Sequence, residues 1–284
     1  MSAILGPKPT KSYKSVNFLS SRAARSIRIQ CELQEAEQRL QQHGVEGTLL
    51  FFGSARSNSR AEYERKLTEM KAKGEDTTRM EKTAWMCDVH EKVTCLASKL
   101  AKFLTSSDLT NIAILTGGGP GMMEAANEGV HGVAPDLSIG MGISLPFEPS
   151  LNPFVNPDLA FEFHYFFTRK FWMVLQAMAL IVAPGGVGTM DELFEVMTLQ
   201  QCGKIKVKFP IILLGKDYWE KVVNWQFMVE CGTISQSDVD ALFITDDIDA
   251  AYERIIESVK GQLKQGIGLS SRSSKKAGQS TKAH

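Results

Sequence analysis

The stretch Pro184-Gly185-Gly186-Val187-Gly188-Thr189-Met190-Asp191-Glu192 joins residues suited to hold an anion with residues that could act on whatever the anion carries. It follows the apolar run Leu180–Ala183 and precedes Leu193, Phe194, Val196, Met197 and Leu199, the apolar face of a helix. Such a strand-to-helix turn lets backbone N–H groups approach a ligand, because glycines keep side chains out of the way and a helix start leaves its first amides unpaired. Thr189 is placed as an N-cap or as a phosphate-contacting hydroxyl. Asp191 and Glu192 fit two readings. Both complement the positive end of a helix dipole, or, since a phosphate at the same helix start would repel them, one of them works on the substrate.

A second glycine turn, Thr116-Gly117-Gly118-Gly119-Pro120-Gly121, follows the apolar run Ile112–Thr116 and precedes a helix from near Met122. It suits a phosphate or a ribose, and equally a tight turn without a ligand. Neither turn ends in Gly-Lys-Ser/Thr, and this one lacks the full G-x-G-x-x-G spacing, so a nucleoside monophosphate fits better than a triphosphate or NAD. Arg169 and Lys170 stand at the start of an apolar helix, where the dipole disfavours cations.

The elements that must carry these turns alternate short apolar runs with longer helical patterns, the mark of βαβ units and a parallel sheet. The strands are expected at Thr48–Phe52, Ile112–Thr116, Leu137–Ile143, Phe161–Tyr165, Leu180–Ala183, Pro210–Leu214 and Leu242–Thr245. Several are apolar at nearly every position, as expected of strands covered by helices on both faces. The expected fold is therefore α/β, a Rossmann-like doubly wound parallel sheet in a single domain. Between the first two strands, a charged stretch from Glu62 to Lys82 reads as a solvated helix or insertion. Trp85, Val89, Val93, Leu96, Leu100 and Phe103 then recur at helical spacing. We expect a basic N-terminal arm and docking helix over residues 1–40, the nucleotide-binding domain over 41–262 and a disordered tail over 263–284.

Lysine plus arginine and aspartate plus glutamate number 32 each, so no global field points to nucleic acid or an anionic membrane. The apolar run from Phe171 to Ala183 is too short to span a bilayer and reads as a helix end plus a buried strand. The five cysteines lack metal or redox spacing; each reads as a buried structural thiol in a reducing, cytoplasmic setting, although the acid-free N-terminus is compatible with organelle targeting. No metal and no cofactor are expected. His164, among Phe163, Tyr165, Phe166 and Phe167, reads as a packed histidine.

The nine residues from Pro184 to Glu192 match the P-G-G-x-G-T-x-x-E motif, and with Phe52-Gly53-Ser54-Ala55-Arg56 and the Arg169-Lys170 pair the chain resembles the LOG family. Those are cytokinin riboside 5′-monophosphate phosphoribohydrolases, long labelled lysine decarboxylases. The resemblance runs from about Asn17 to Val259. The first turn departs from the commonest family form, with Glu124 where a glycine often stands, and looks like the G-G-G-P-G-x-M-E-A branch; AMP or GMP thus stands beside a cytokinin nucleotide as substrate.

The resemblance implies hydrolysis of the N-glycosidic bond of a purine nucleoside 5′-monophosphate, with Arg169 and Glu192 catalytic. It implies substrate contacts from Gly53, Ser54, Gly118, Gly119, Glu148, Lys170, Gly185, Gly186, Val187, Gly188, Thr189 and Thr198. It also implies a homodimer whose sites lie near the subunit interface. A non-catalytic nucleotide or molybdenum-cofactor carrier on the same fold is the alternative, against which Arg169 and Glu192 speak. A pyridoxal-dependent lysine decarboxylase would need a Schiff-base lysine, for which the sequence offers no context.

Overall fold

A computed structural model describes residues 9–145 and 150–266. Its strands are β1 (Gly47–Phe52), β2 (Ile112–Thr116), β3 (Ser138–Ile143), β4 (Ala160–Phe163), β5 (Ala177–Val182), β6 (Ile211–Leu214) and β7 (Leu242–Thr245). They form one all-parallel sheet in the order β4-β3-β2-β1-β5-β6-β7. β1, β2, β3 and β6 are buried at every position, which explains why they are apolar at nearly every one: both faces of a parallel sheet are roofed by its crossover helices.

The helices are α1 (Val16–Leu19), α2 (Arg25–Gln42), α3 (Arg60–Ala72), α4 (Thr78–Glu81), α5 (Trp85–Ser106), α6 (Met122–His131), α7 (Phe166–Leu175), α8 (Val187–Gln201), α9 (Lys216–Val222), α10 (Trp225–Glu230), α11 (Gln236–Asp240) and α12 (Ile248–Lys264). The chain therefore forms a Rossmann-like α/β fold in one domain. All seven expected strands occur. The fourth ends at Phe163, two residues early, because α7 begins at Phe166. Glu62 to Lys82 contributes α3, whose single buried side chain is Tyr63, and the one-turn α4, so this charged stretch is a solvated helix.

α2 docks beside the sheet edge that carries β4 and α7. Glu32 accepts hydrogen bonds from the His164 N–H (2.9 Å) and the Thr168 hydroxyl (2.5 Å), while Arg39 donates to the Ala160 carbonyl (2.6 Å). His164 is exposed, with its ring edge-on to Tyr165 at 4.7 Å, so it is not the packed histidine expected from its aromatic neighbours. Only Cys87 is a buried thiol; Cys31, Cys95, Cys202 and Cys231 are exposed, contrary to the expectation for all five. Among the described residues no helix is long and apolar enough to cross a membrane.

The order of strands reverses at β1 and β5: successive strands leave β1 toward β4 on one side and β5 toward β7 on the other. The loops after these two strands therefore diverge and leave a crevice at their carboxyl ends, the usual ligand position in open α/β sheets. Backbone contacts lock the crevice walls together. The Ser54 N–H donates to the Pro184 carbonyl (2.9 Å), and the Ser54 carbonyl accepts from the Met122 N–H (3.0 Å). Gly121 sits at φ +73°, and a Cβ there would overlap the Ser54 carbonyl oxygen. Gly121→Ala is expected to lower the urea midpoint by the equivalent of about 2 kcal/mol. Gly186→Ala, whose methyl would meet nothing within 4 Å, should change stability by less than about 0.5 kcal/mol. Equal midpoints for the two variants would refute this account of the turn.

Candidate active site

The crevice is a cleft of about 760 Å³, within the range of small-molecule sites. Its floor is the turn from Pro184 to Thr189. The first helical residue of α8 is Val187 and its N-cap is Gly186, whose side-chain-free backbone leaves the amides of the first turn open to a ligand. The carbonyls of the turn point elsewhere: Gly185 accepts from the Tyr218 hydroxyl (2.5 Å) and Pro184 from Ser54. Thr189 is therefore not the N-cap expected from sequence. It is the third residue of the helix, within its first turn, buried, and packs over Gly185 closely enough that a Cβ on that glycine would collide with it.

Glu192 and Asp191 stand in the second turn of α8; the first turn holds no acidic residue. Dipole complementation by a first-turn carboxylate thus does not explain them. Glu192 has a side chain 3% exposed and lines the cleft. Its Oε1 faces Arg169 Nη2 at 3.3 Å, and its Oε2 has no hydrogen-bond partner among the described residues. Burial pushes its carboxyl up to about 7, against the opposing pull of Arg169 and then Lys170. A single contact at 3.3 Å is too long to offset the loss of hydration. The site thus holds a carboxyl poised near neutrality beside a permanent cation.

Arg169 reaches the cleft from the second turn of α7, with its guanidinium 5.3 Å from the Phe166 ring centroid. The Arg169-Lys170 pair lies within that helix rather than before it. One residue on, the direction reverses: Lys170 ion-pairs with Asp191 (2.9 Å) and Glu195 (2.7 Å) and is absent from the cleft wall. Asp191 and Lys170 thus fasten α7 to α8 on the side away from the cleft. Thr198 belongs to that outer face too, exposed, its hydroxyl donating to the Phe194 carbonyl at 2.7 Å.

Of the remaining sequence-derived contacts, Gly53, Ser54, Gly119, Gly185, Gly186, Val187 and Gly188 line the cleft. Gly118 stands behind its wall. At φ +70° it donates to the Thr116 hydroxyl (2.8 Å) and accepts from the Asn152 N–H (2.7 Å), and a Cβ there would strike Leu151. Glu148 lies outside the described residues. The Asn152 amide also donates to Gly119 O and to Asn127 Oδ1, and Asn127 accepts from Thr116, a buried network that fixes the shape of the first turn. Sequence reasoning missed Arg56, Met86, Met123, Phe166 and Tyr218, which also line the cleft. Arg56 and Phe166 adjoined stretches already singled out; Tyr218 carries no local signal, because only the fold brings α9 to Gly185.

Among the described residues, no group of three His, Cys, Asp or Glu side chains is gathered that could hold a metal ion. A crevice at the switch point of a parallel sheet, floored by a glycine turn at a helix start, defines a Rossmann-like protein with a small-molecule cleft. A family model described as "Possible lysine decarboxylase" matches residues 121–255, which include α6, α7, α8 and both Arg169 and Glu192. Over these residues the chain is similar to the LOG, or lysine decarboxylase-like, family.

A cytokinin riboside 5′-monophosphate phosphoribohydrolase of Mycobacterium marinum is 31% identical over 86 residues, which span 30% of this chain and 46% of that protein. The alignment thus covers less than half of that relative. Two solved structures align more widely at low identity. An X-ray structure from a structural genomics consortium shares 16% identity, covers 74% of this chain and 99% of its own, and has a TM-score of 0.42. The molybdenum cofactor binding protein of Rippkaea orientalis shares 18%, covers 76% and 95%, and has a TM-score of 0.43.

Proposed function

We propose that the chain hydrolyses the N-glycosidic bond of a purine nucleoside 5′-monophosphate, giving free base and ribose 5-phosphate. The observation that carries this reading is the buried Glu192, with one oxygen on Arg169 and the other unpartnered, in the wall of a cleft floored by open helix amides. A phosphate ester on those amides, near Gly186, Val187 and Gly188, would carry its ribose toward Glu192. Breaking the C1′–N bond builds positive charge on the sugar ring. The ionised carboxylate stabilises that charge and takes a proton from the attacking water, whose oxygen bonds C1′ while the departing base nitrogen gains a proton. Arg169 favours the ionised form of Glu192 against the effect of burial and fixes its direction. Met86, Met123 and Phe166 offer apolar surface for a planar base.

A pyridoxal-dependent decarboxylation finds less support, since no lysine is among the described residues lining the cleft and Lys170 is held by two carboxylates outside it. Incubation with AMP, GMP and isopentenyladenosine monophosphate, followed by chromatography of free base, tests the hydrolase reading. Release of base and ribose 5-phosphate from at least one is expected. No release from any overturns it, and nucleotide retained without turnover would favour a carrier instead.

The same reading includes a homodimer. Phe166, Phe167 and Phe171 on α7 are 52%, 56% and 47% exposed and Val187 on α8 is 88% exposed, an apolar strip that runs to the cleft rim. A second copy covering it would close the mouth of the cleft. Phe171→Asp is expected to convert a dimer to monomer in sedimentation velocity; a wild-type chain that sediments as a monomer, or an unaffected dimer in the variant, contradicts this surface.

A further inference from the structure

We infer that Arg56 is the residue by which the cleft prefers a ligand bearing a phosphate monoester over the same ligand without it; the inference rests on the cleft being a nucleotide site, as proposed above. Two arginines line the cleft. The charge of Arg169 is engaged by Glu192, so this pair adds little net attraction for a dianion. Arg56 is different. It is exposed at the rim, and among the described residues its guanidinium makes no ion pair and no hydrogen bond; only its backbone N–H is engaged, by the Ser54 hydroxyl at 3.1 Å. A cation left unpaired at the edge of a ligand cleft supplies what neutral amides cannot, a full countercharge with a planar fork matched to phosphate oxygens.

The placement is built rather than incidental. Arg56 follows β1, and β1 lies beside β5, whose loop is the glycine floor of the cleft. The turn that carries it is held by the Ser57 hydroxyl donating to the Ser54 carbonyl (3.2 Å). The Ser54 N–H in turn donates to Pro184, so the root of the arginine and the anion-binding turn form one hydrogen-bonded unit. The long side chain can then fold over a phosphate whose other oxygens face the amides of α8, and the bond would strengthen as the ligand excludes water.

Calorimetric titration of AMP, ribose 5-phosphate and adenosine into the full chain tests this, with Glu192→Gln as the background so that no ligand is consumed. Adding Arg56→Ala is expected to weaken AMP and ribose 5-phosphate by about 10- to 100-fold and to leave adenosine unchanged. Arg56→Lys should recover part of the loss. Equal weakening of adenosine and AMP, or undiminished AMP binding, overturns the inference, as does failure of both phosphates to bind the background protein. Selective weakening in a protein that releases no base would leave the inference standing while the hydrolase reading falls. An AMP affinity independent of Arg56 in an active hydrolase would do the reverse.

Discussion

Glu192→Gln is expected to slow base release by about 10²- to 10⁴-fold, the usual scale for a lost general base or charge-stabilising group. Glutamine keeps the shape and can still meet Arg169, so the variant should fold and bind nucleotide. What it lacks is the negative charge beside C1′ and an oxygen able to accept a proton. Arg169→Ala attacks the same machinery from the other side. Arg169 is the largest influence holding the Glu192 carboxyl down against burial, so its loss moves that carboxyl further above about 7. The rate of the wild type should rise with pH through about 7 as Glu192 ionises, and the rising limb in Arg169→Ala should lie at higher pH. Stopped assays of base release from pH 5 to 9 read both effects. A Glu192→Gln rate within threefold of wild type would remove the carboxylate from the mechanism.

The parts of this site that were legible in the sequence are those whose physics is local. Pro184 to Thr189 announces a tight strand-to-helix turn through its glycines and the apolar runs on either side, and the strands declare themselves because two-sided burial favours nearly continuous apolar residues. With Thr189 as N-cap, α8 would begin three residues late: Gly186 is the N-cap and Val187 and Gly188 supply the first helical positions, so Thr189 packs on Gly185 instead of capping the helix.

Neighbours in sequence also diverge in space. Lys170 follows Arg169, yet the roughly 100° turn between adjacent helical residues points one into the cleft and the other toward Asp191 and Glu195. Thr198 stands six residues beyond Glu192, which at about 100° per residue places it roughly 120° around α8, on a face outside the cleft. Tyr218 and Asn152 shape the two glycine turns from distant points of the chain, and no local pattern marks a contact that the fold alone creates.

The same residue should cost the protein stability. In the unfolded chain Glu192 ionises near its ordinary value of 4.5, whereas burial holds the proton in the folded protein until about 7. The folded state therefore binds the extra proton between these values, and stability declines as pH rises from about 4.5 to about 7, then levels off. That interval corresponds to a loss on the order of 3 kcal/mol. Glu192→Gln, neutral at every pH, escapes the decline, although Arg169 forfeits its counter-charge and trims the gain. Urea denaturation of both proteins should give matched midpoints near pH 4.5 and a variant increasingly the more stable toward pH 8. A difference that does not change with pH would show that burial exerts no such hold on the carboxyl. The pairing of outcomes discriminates between roles. An ion pair kept for structure loses stability when one partner is neutralised, because the other charge is left buried alone. A substitution that gains stability while it abolishes turnover marks a charge held in an unfavourable place for the sake of the reaction.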